Sequence, residues 1–330
     1  GKELMGIHFY LHLENARGEK IMGKHYPELM VGEHAVFTFD PRVIDAMYKE
    51  VKAGLGPIYL NLVGLSDADI AALGDPVHEE LTHLMGNDTM YLVKEKAGID
   101  PSKERLELWP RLLYTGGGLR IDTKCRTTVP GLWAAGGACS NIWTCGGGSQ
   151  GGLGVQSAAV TGFTAGEDAG AYAMDNPLPG TDPAYAERIV SRVTAPLRRS
   201  GDVDAYEITY RVHEAIVPME YNRIREAGRI REALGILEEA RERLQRVGVA
   251  DHHDLARYHS AESMLMAAEA TYRTALTREE SRSQHFREDF PERDDENWFK
   301  WIAIEQQDGG AKLSTLPIPV DKYRLQPDRR

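Results

Sequence analysis

The chain has 330 residues, 42% of them hydrophobic and 8% aromatic, and a formal net charge of −11 at pH 7. That length can bury a full core and more than one domain, and the acidic balance argues against nucleic acid or an anionic membrane surface as a partner, since both demand a basic face. No apolar run approaches the roughly 20 residues of a membrane span, Gly1-Lys2-Glu3 opens no leader-like pattern, and three cysteines at irregular spacing form neither a disulfide framework nor a CxxC pair, so the expected location is the reducing cytoplasm.

In chain order, Ile7 to Leu13 alternates apolar and polar residues, which predicts a strand, and Gly18 turns the chain. Pro41 opens a helix carrying Val43, Ile44, Met47 and Val51 on one face, ended by Gly54. A strand is expected over Ile58 to Leu62, then short helices over Asp67 to Leu73, Val77 to Leu84 and Tyr91 to Ala97. Leu112 to Ile121 returns through a glycine hairpin at Gly116-Gly117-Gly118. The short apolar run Leu132 to Ala135 ends in Gly136-Gly137, and Gly146-Gly147-Gly148-Ser149 opens a stretch rich in Ala, Gly and Val that runs to about Met174. Pro177 to Pro183 reads as a linker. Ala184 to about Arg246 and His253 to Phe286 carry helical spacing with Glu/Arg pairs outside, which predicts a helical bundle. From Lys312 onward an extended tail is expected.

The segment Val129 to Ala173 carries the most chemistry. Strand, glycine-dense turn and small-residue helix let backbone N–H groups approach a ligand, and the helix start adds a positive dipole end. Ser149 is a favoured helix N-cap. An ordinary tight strand–helix junction has the same outline. Cys139 and Cys145 lie in this segment and read as small buried hydrophobes. No His, Cys, Asp or Glu spacing suits zinc or an iron–sulfur cluster. Residues 1 to 100 contain no G-x-G-x-x-G fingerprint.

VPGLWAAGG from Val129, GGGSQGG from Gly146 and the AGAYA that follows resemble the carboxy-terminal flavin-binding segment of the succinate dehydrogenase/fumarate reductase flavoprotein family. TREESRSQHFREDFPERDDENWFKW, Thr277 to Trp301, is similar to that family's SRGAHxRxDxPxRDDxxW signature. ENARGEKIMGKHYPE from Glu14 and DPRVIDAMYKEVKAGLGPIYLNL from Asp40 resemble its capping segment. The three motifs stand in the family's order.

The resemblance implies an α/β plus α fold: a partial, Rossmann-like FAD-binding domain with a capping domain, followed by a helical bundle. It divides the chain into a capping portion at 1–110, the carboxy-terminal part of the FAD-binding domain at 111–176, a helical domain at 184–301 and a tail at 302–330. It implies FAD as cofactor, hydride exchange with a small-molecule substrate, and an iron–sulfur partner subunit through which the protein could associate with a membrane. Because the pattern is entered midway, it also implies an amino-terminal FAD-binding half, in a longer form of the same chain or in a separate one. A non-catalytic assembly subunit or fragment is the alternative.

Residue by residue, the resemblance makes Arg42 the proton-handling arginine. It puts Gly136, Gly137, Gly147, Gly148, Ser149 and Gln150 against the flavin, the last two at its pyrimidine edge. Arg42 read alone is a surface helix arginine paired with Asp40 or Asp45. Three departures stand out. Leu113 replaces the family's hairpin histidine, Thr144 its substrate-clamping arginine, and Gly137 the glutamate that would hold the ribose. Leu and Thr cannot offer a bidentate fork to a dicarboxylate, so Leu113, Tyr114, Trp143 and Thr144 are candidates for a remodelled substrate pocket. The adenylylsulfate reductase branch, which lacks the same clamp, is a close alternative relative. His285 and Arg282 read as structural residues of a helix packed against the flavin domain, and the charge run Glu288 to Asp295 as structural too.

Overall fold

The computed structural model describes residues 9–30, 41–66, 93–109, 116–139, 153–177, 180, 182–282, 285–307, 310–322 and 324. The chain divides into two compact units, Gly1–Arg111 and Leu112–Arg330.

The first unit is built on a small antiparallel sheet. Strand β1 (Leu13–Glu14) pairs with β2 (Ile58–Leu60) through Leu13 opposite Leu60, and β2 pairs with β3 (Leu106–Leu108) through Ile58 opposite Leu108. The strand expected from Ile7 is shorter than its alternation suggests. Phe9–His12 is a 3-10 turn, because β2 is three residues long and gives β1 only two partners. Helix α1 (Ile21–His25) and helix α2 (Pro41–Lys52) pack beside the sheet. Leu13, Ile21, Met22, Val43, Ala46, Met47, Ile58, Leu60 and Leu62 form the core.

Helix α2 follows its apolar spacing and stops before Gly54, whose φ of +73° is open to glycine. The buried stripe of α2 ends on a charge, since Glu50 is only 1% exposed. Three donors satisfy it: Asn15 Nδ2 at 2.7 Å, Lys24 Nζ at 2.9 Å and His25 Nε2 at 2.5 Å. Burial pushes this carboxyl up, but the hydrogen bonds from Asn15, Lys24 and His25 outweigh it and hold the group at about 2. Val93–Ala97, where a helix is expected, makes a single wide π-type turn. The helices expected at 67–73 and 77–84 lie outside the described residues.

The second unit combines the glycine-rich segment with a bundle. Its elements are α3 (Leu153–Asp175), α4 (Pro183–Thr194), α5 (Ala205–Ile216), α6 (Met219–Asn222), β4 (Ile224–Arg225), α7 (Ala227–Leu244), α8 (His252–Thr277), β5 (Phe286–Arg287), α9 (Asp295–Trp298), β6 (Lys300–Gln307) and β7 (Gly310–Pro317). Helices α5, α7 and α8 share one core. Helix α8 buries Tyr258, Ala261, Leu265, Ala268, Tyr272 and Ala275, an alternating three- and four-residue spacing that gives a continuous seam. Asp204 and Asp251 cap α5 and α8 by accepting from backbone N–H groups one turn in.

The helix expected to run from His253 to Phe286 stops at Thr277. The Arg287 guanidinium, 1% exposed, donates from Nη1 to the carbonyls of Ala275, Leu276 and Arg278 at 2.9, 3.2 and 3.1 Å. These are the carbonyls a helix end leaves unsatisfied. The chain then doubles back so that β5 lies parallel to β4. Arg282 and His285 therefore sit in the turn beyond the helix, not on it. Lys312, expected to begin a tail, is instead in the second strand of an antiparallel ribbon, opposite Glu305.

Candidate functional site

Within the second unit, Leu132 to Ala135 folds back on Cys125 to Thr127. Thr127 N donates to Leu132 O at 2.9 Å and Ala134 N to Cys125 O at 3.0 Å. The strand expected there is one leg of this tight hairpin, turned at Gly131 with a φ of +79°. The chain then enters Gly136 at φ +58°, where a Cβ would stand 3.2 Å from that of Ala158 on α3. Gly136 N donates to Thr161 Oγ1 at 2.9 Å, and that hydroxyl donates to Ser157 O at 2.6 Å. The turn is thereby fastened to the middle of α3. On its other side, a Cβ at Gly118 would lie 2.5 Å from Ala138 O, so two backbones touch where no side chain fits.

A second fastening sits two turns further along α3. Asp168 accepts from Arg126 Nε, from Arg126 Nη2 at 2.7 Å and from Trp133 Nε1 at 3.0 Å, and Lys124 Nζ stands 3.4 Å away. The Arg126 guanidinium holds this carboxyl well below the usual carboxylate range. Trp133 presents its ring edge-on to Tyr172 at 5.3 Å. Thr161 and Asp168 have no motif signal. Ser157, Thr161 and Ala165 form the narrow stripe that α3 buries. The rest of the helix is open: Val155, Val160, Phe163 and Met174 are between 65% and 87% exposed.

Among the described residues nothing lies within 4 Å of the Cβ direction of Gly137, so the backbone there can lie directly against a ligand. Gly147, Gly148, Ser149, Gln150, Leu113, Tyr114, Trp143, Thr144 and Cys145 lie outside the described residues. Cys125 and Cys139 are buried thiols, and burial pushes both up, away from the thiolate form. Among the described residues no group of three or more His, Cys, Asp or Glu could hold a metal, and no helix is long and apolar enough to cross a membrane.

Arg42 belongs to the first unit, as the second residue of α2, half-buried. One turn on, Asp45 accepts from the Tyr26 hydroxyl and pairs with Lys49 Nζ at 2.6 Å, while that Nζ stands 5.2 Å above the Tyr26 ring. Burial first, then the Asp45 carboxylate, push the Tyr26 hydroxyl up. Arg42 opposes them, so its charge is felt at that oxygen. Arg42 and Asp45 thus lie one turn apart on α2, with the Tyr26 hydroxyl on Asp45.

Two family patterns match this sequence: an "FAD binding domain" over residues 12–152 and "Fumarate reductase flavoprotein C-term" over residues 215–330. The fumarate reductase flavoprotein of Haemophilus influenzae is 26% identical over 317 residues, 92% of this chain and 51% of that protein. The chain spans about half the length of the curated relatives it matches. FrdA of the Escherichia coli quinol fumarate reductase superposes with a TM-score of 0.76 at 24% identity, covering 96% of this chain and 55% of that one. The adenylylsulfate reductase of Archaeoglobus fulgidus superposes with a TM-score of 0.68 at 20% identity, covering 96% and 57%. At these identities the two structures show a shared fold.

Proposed function

Because the chain belongs to the succinate dehydrogenase/fumarate reductase family of FAD-dependent flavoproteins, we propose that it is the substrate-capping and carboxy-terminal part of an oxidoreductase that exchanges a hydride between FAD and a small molecule and passes electrons to an iron–sulfur partner. The observation that carries this reading is the Gly136 turn, set at a positive φ open to glycine and fastened to α3 by Thr161. A backbone held so close to a helix, with its outer side open at Gly137, suits a ligand that is gripped by main chain.

FAD, when bound, supplies the hydride-accepting and hydride-donating chemistry. Gly136, Gly137, Gly147 and Gly148 would lay main chain along it, and Ser149 and Gln150 would offer hydrogen-bonding groups to its pyrimidine edge. Arg42 gives or takes the substrate proton, one turn before Asp45 on α2. Leu113, Tyr114, Trp143 and Thr144 are the residues this reading would assign to the substrate pocket. With Leu113 and Thr144 in place of cationic clamps, that pocket suits a less anionic substrate than a dicarboxylate, and the Trp143 ring suits an aromatic one.

The exposed apolar side of α3 is the seat of the amino-terminal half of the FAD-binding domain, in the same or a separate chain. The loss of both clamp positions is equally expected of a second reading, an assembly subunit without its own catalysis. A visible absorption spectrum and intact mass of the natively purified protein separate the two. Bound flavin together with a G-x-G-x-x-G-bearing partner or extension supports the enzyme, and substrate screening then proceeds with Arg42→Ala as the inactive control. A colourless, folded protein that does not take up FAD overturns it.

A further inference from the structure

His285 lies in the turn beyond α8, in the signature stretch that the proposed chemistry leaves unused. Arg225 Nη1 stands 3.1 Å from its Nδ1, and its Nε2 stands 3.3 Å from the carbonyl of Arg278. An arginine can only donate and a carbonyl can only accept. The ring is therefore neutral, with its single proton on Nε2 and a lone pair on Nδ1 turned to Arg225. That lone pair is the one acceptor the Arg225 guanidinium finds among the described residues, and Arg225 Nε is buried without a partner.

The charged groups facing the ring come from three elements, and all are cations: Arg225 of β4, Arg287 of β5 and Arg278 at the end of α8. The Tyr272 hydroxyl of α8 donates to Ala215 O. The carboxylates nearby are engaged elsewhere. Glu280 takes Arg278 and Arg282, Asp289 takes Arg287 through both its oxygens, and Asp295 takes Arg282 and Arg293. Burial and these arginines push the imidazole down to about 3.

The same residues form a joint. Arg278 donates to the carbonyls of Trp298 and Lys300, at 2.8 and 2.5 Å, and so holds the root of the β6–β7 ribbon. Arg287 holds the end of α8. Arg282 and His285 bond each other's backbone at 2.7 and 2.9 Å. A second proton on the ring would remove Arg225's acceptor and add a cation where every facing charge is already positive.

We propose that neutral His285 is an acid-sensitive latch, whose protonation opens the joint between β4, β5, the end of α8 and the ribbon root while the core of α5, α7 and α8 stays folded. The open form takes up a proton at the ordinary histidine pKa of about 6.5, which the closed form resists, so the open population rises about tenfold from pH 7.5 to 5.5.

Hydrogen exchange of the intact protein, corrected for intrinsic rates, reads this in peptides covering 278–300, with α7 as internal reference. The expected result is about a tenfold rise in opening in the wild type, no rise in α7, and no pH response in His285→Asn, which keeps an acceptor near Nδ1 and cannot be protonated. An equal pH response in both proteins overturns the proposal. Should the variant not fold, the imidazole nitrogen resonances of the wild type decide. A signal fixed in the Nε2–H form down to pH 5 supports the latch, and one that titrates near pH 6.5 overturns it.

Discussion

Helices α3 and α8, at 23 and 26 residues, are the two longest among the described residues, and they use their apolar side chains in opposite ways. Helix α8 spaces them at three and four residues and buries seven positions from Leu255 to Ala275. Helix α3 is apolar nearly all round yet, among the described residues, buries only Ser157, Thr161 and Ala165, a line of small residues, while Phe163 is 69% exposed. Apolar content states what a helix would bury, and spacing states whether its own chain supplies the cover. An all-round apolar helix is completed from outside, which is why α3 points to a partner and α8 to a core.

The sharpest way to break this comparison is a pair of truncations. Leu265→Ala on α8 should cost about 2–5 kcal/mol of stability, because it leaves a cavity in a packed seam. Phe163→Ser on α3 should change the same denaturant midpoint by less than about 0.5 kcal/mol and abolish assembly with the proposed amino-terminal half. Equal losses in the two variants would mean that α3 is already covered.

The first unit offers a charged counterpart, since α2 closes its buried stripe with Glu50 rather than an apolar residue. Its carboxyl is held at about 2 against an ordinary 4.5. The unfolded chain therefore binds the proton first, so the stability Glu50 contributes is complete above pH 4.5 and is lost as the pH falls toward 2. Between pH 6 and pH 3 that loss should be roughly 2 kcal/mol. Denaturant midpoints of the wild type and Glu50→Gln at the two pH values check it, and an undiminished acid loss in the variant would move the cause elsewhere.

The smallest effect concerns the fastening between hairpin and helix. Gly136→Ala must hold a Cβ at positive φ and 3.2 Å from Ala158. The expected cost is about 1–2 kcal/mol, with weakened FAD retention, read from the thermal midpoint and the flavin-to-protein absorbance ratio. Full flavin content at wild-type stability would show that the turn tolerates the strain.

What the sequence discloses follows from how local each cause is. Helix α2 with Arg42 is legible because Pro41, the apolar spacing and Gly54 all lie within it or at its end. The bundle is legible because its stripes repeat. The end of α8 is not, because the group that caps it, Arg287, lies ten residues past Thr277 and arrives only once the chain has doubled back. The second strand of the ribbon is hidden for a similar reason, since β7 exists by its register against β6. At the candidate site, Gly136 and Gly137 announce themselves by composition. Thr161 and Asp168 do not, since each takes its role from a partner 25 to 42 residues away. Tyr26 beside Asp45 is equally silent, a contact between two elements rather than a pattern within one.

Thr161 and Asp168 grip the same hairpin from one helix, seven positions apart. A rod held at one point can still swivel, whereas a rod held at two has a fixed heading and a fixed roll. The outward side of α3 is therefore presented at a set angle to the Gly136 turn before anything docks on it. On the proposed reading a partner that seats there arrives in alignment with that turn, so peptide-bond continuity between the proposed halves is dispensable for registration. Expressing them as separate polypeptides should reconstitute the same cradle as a single translation product, with the hairpin acting as the jig.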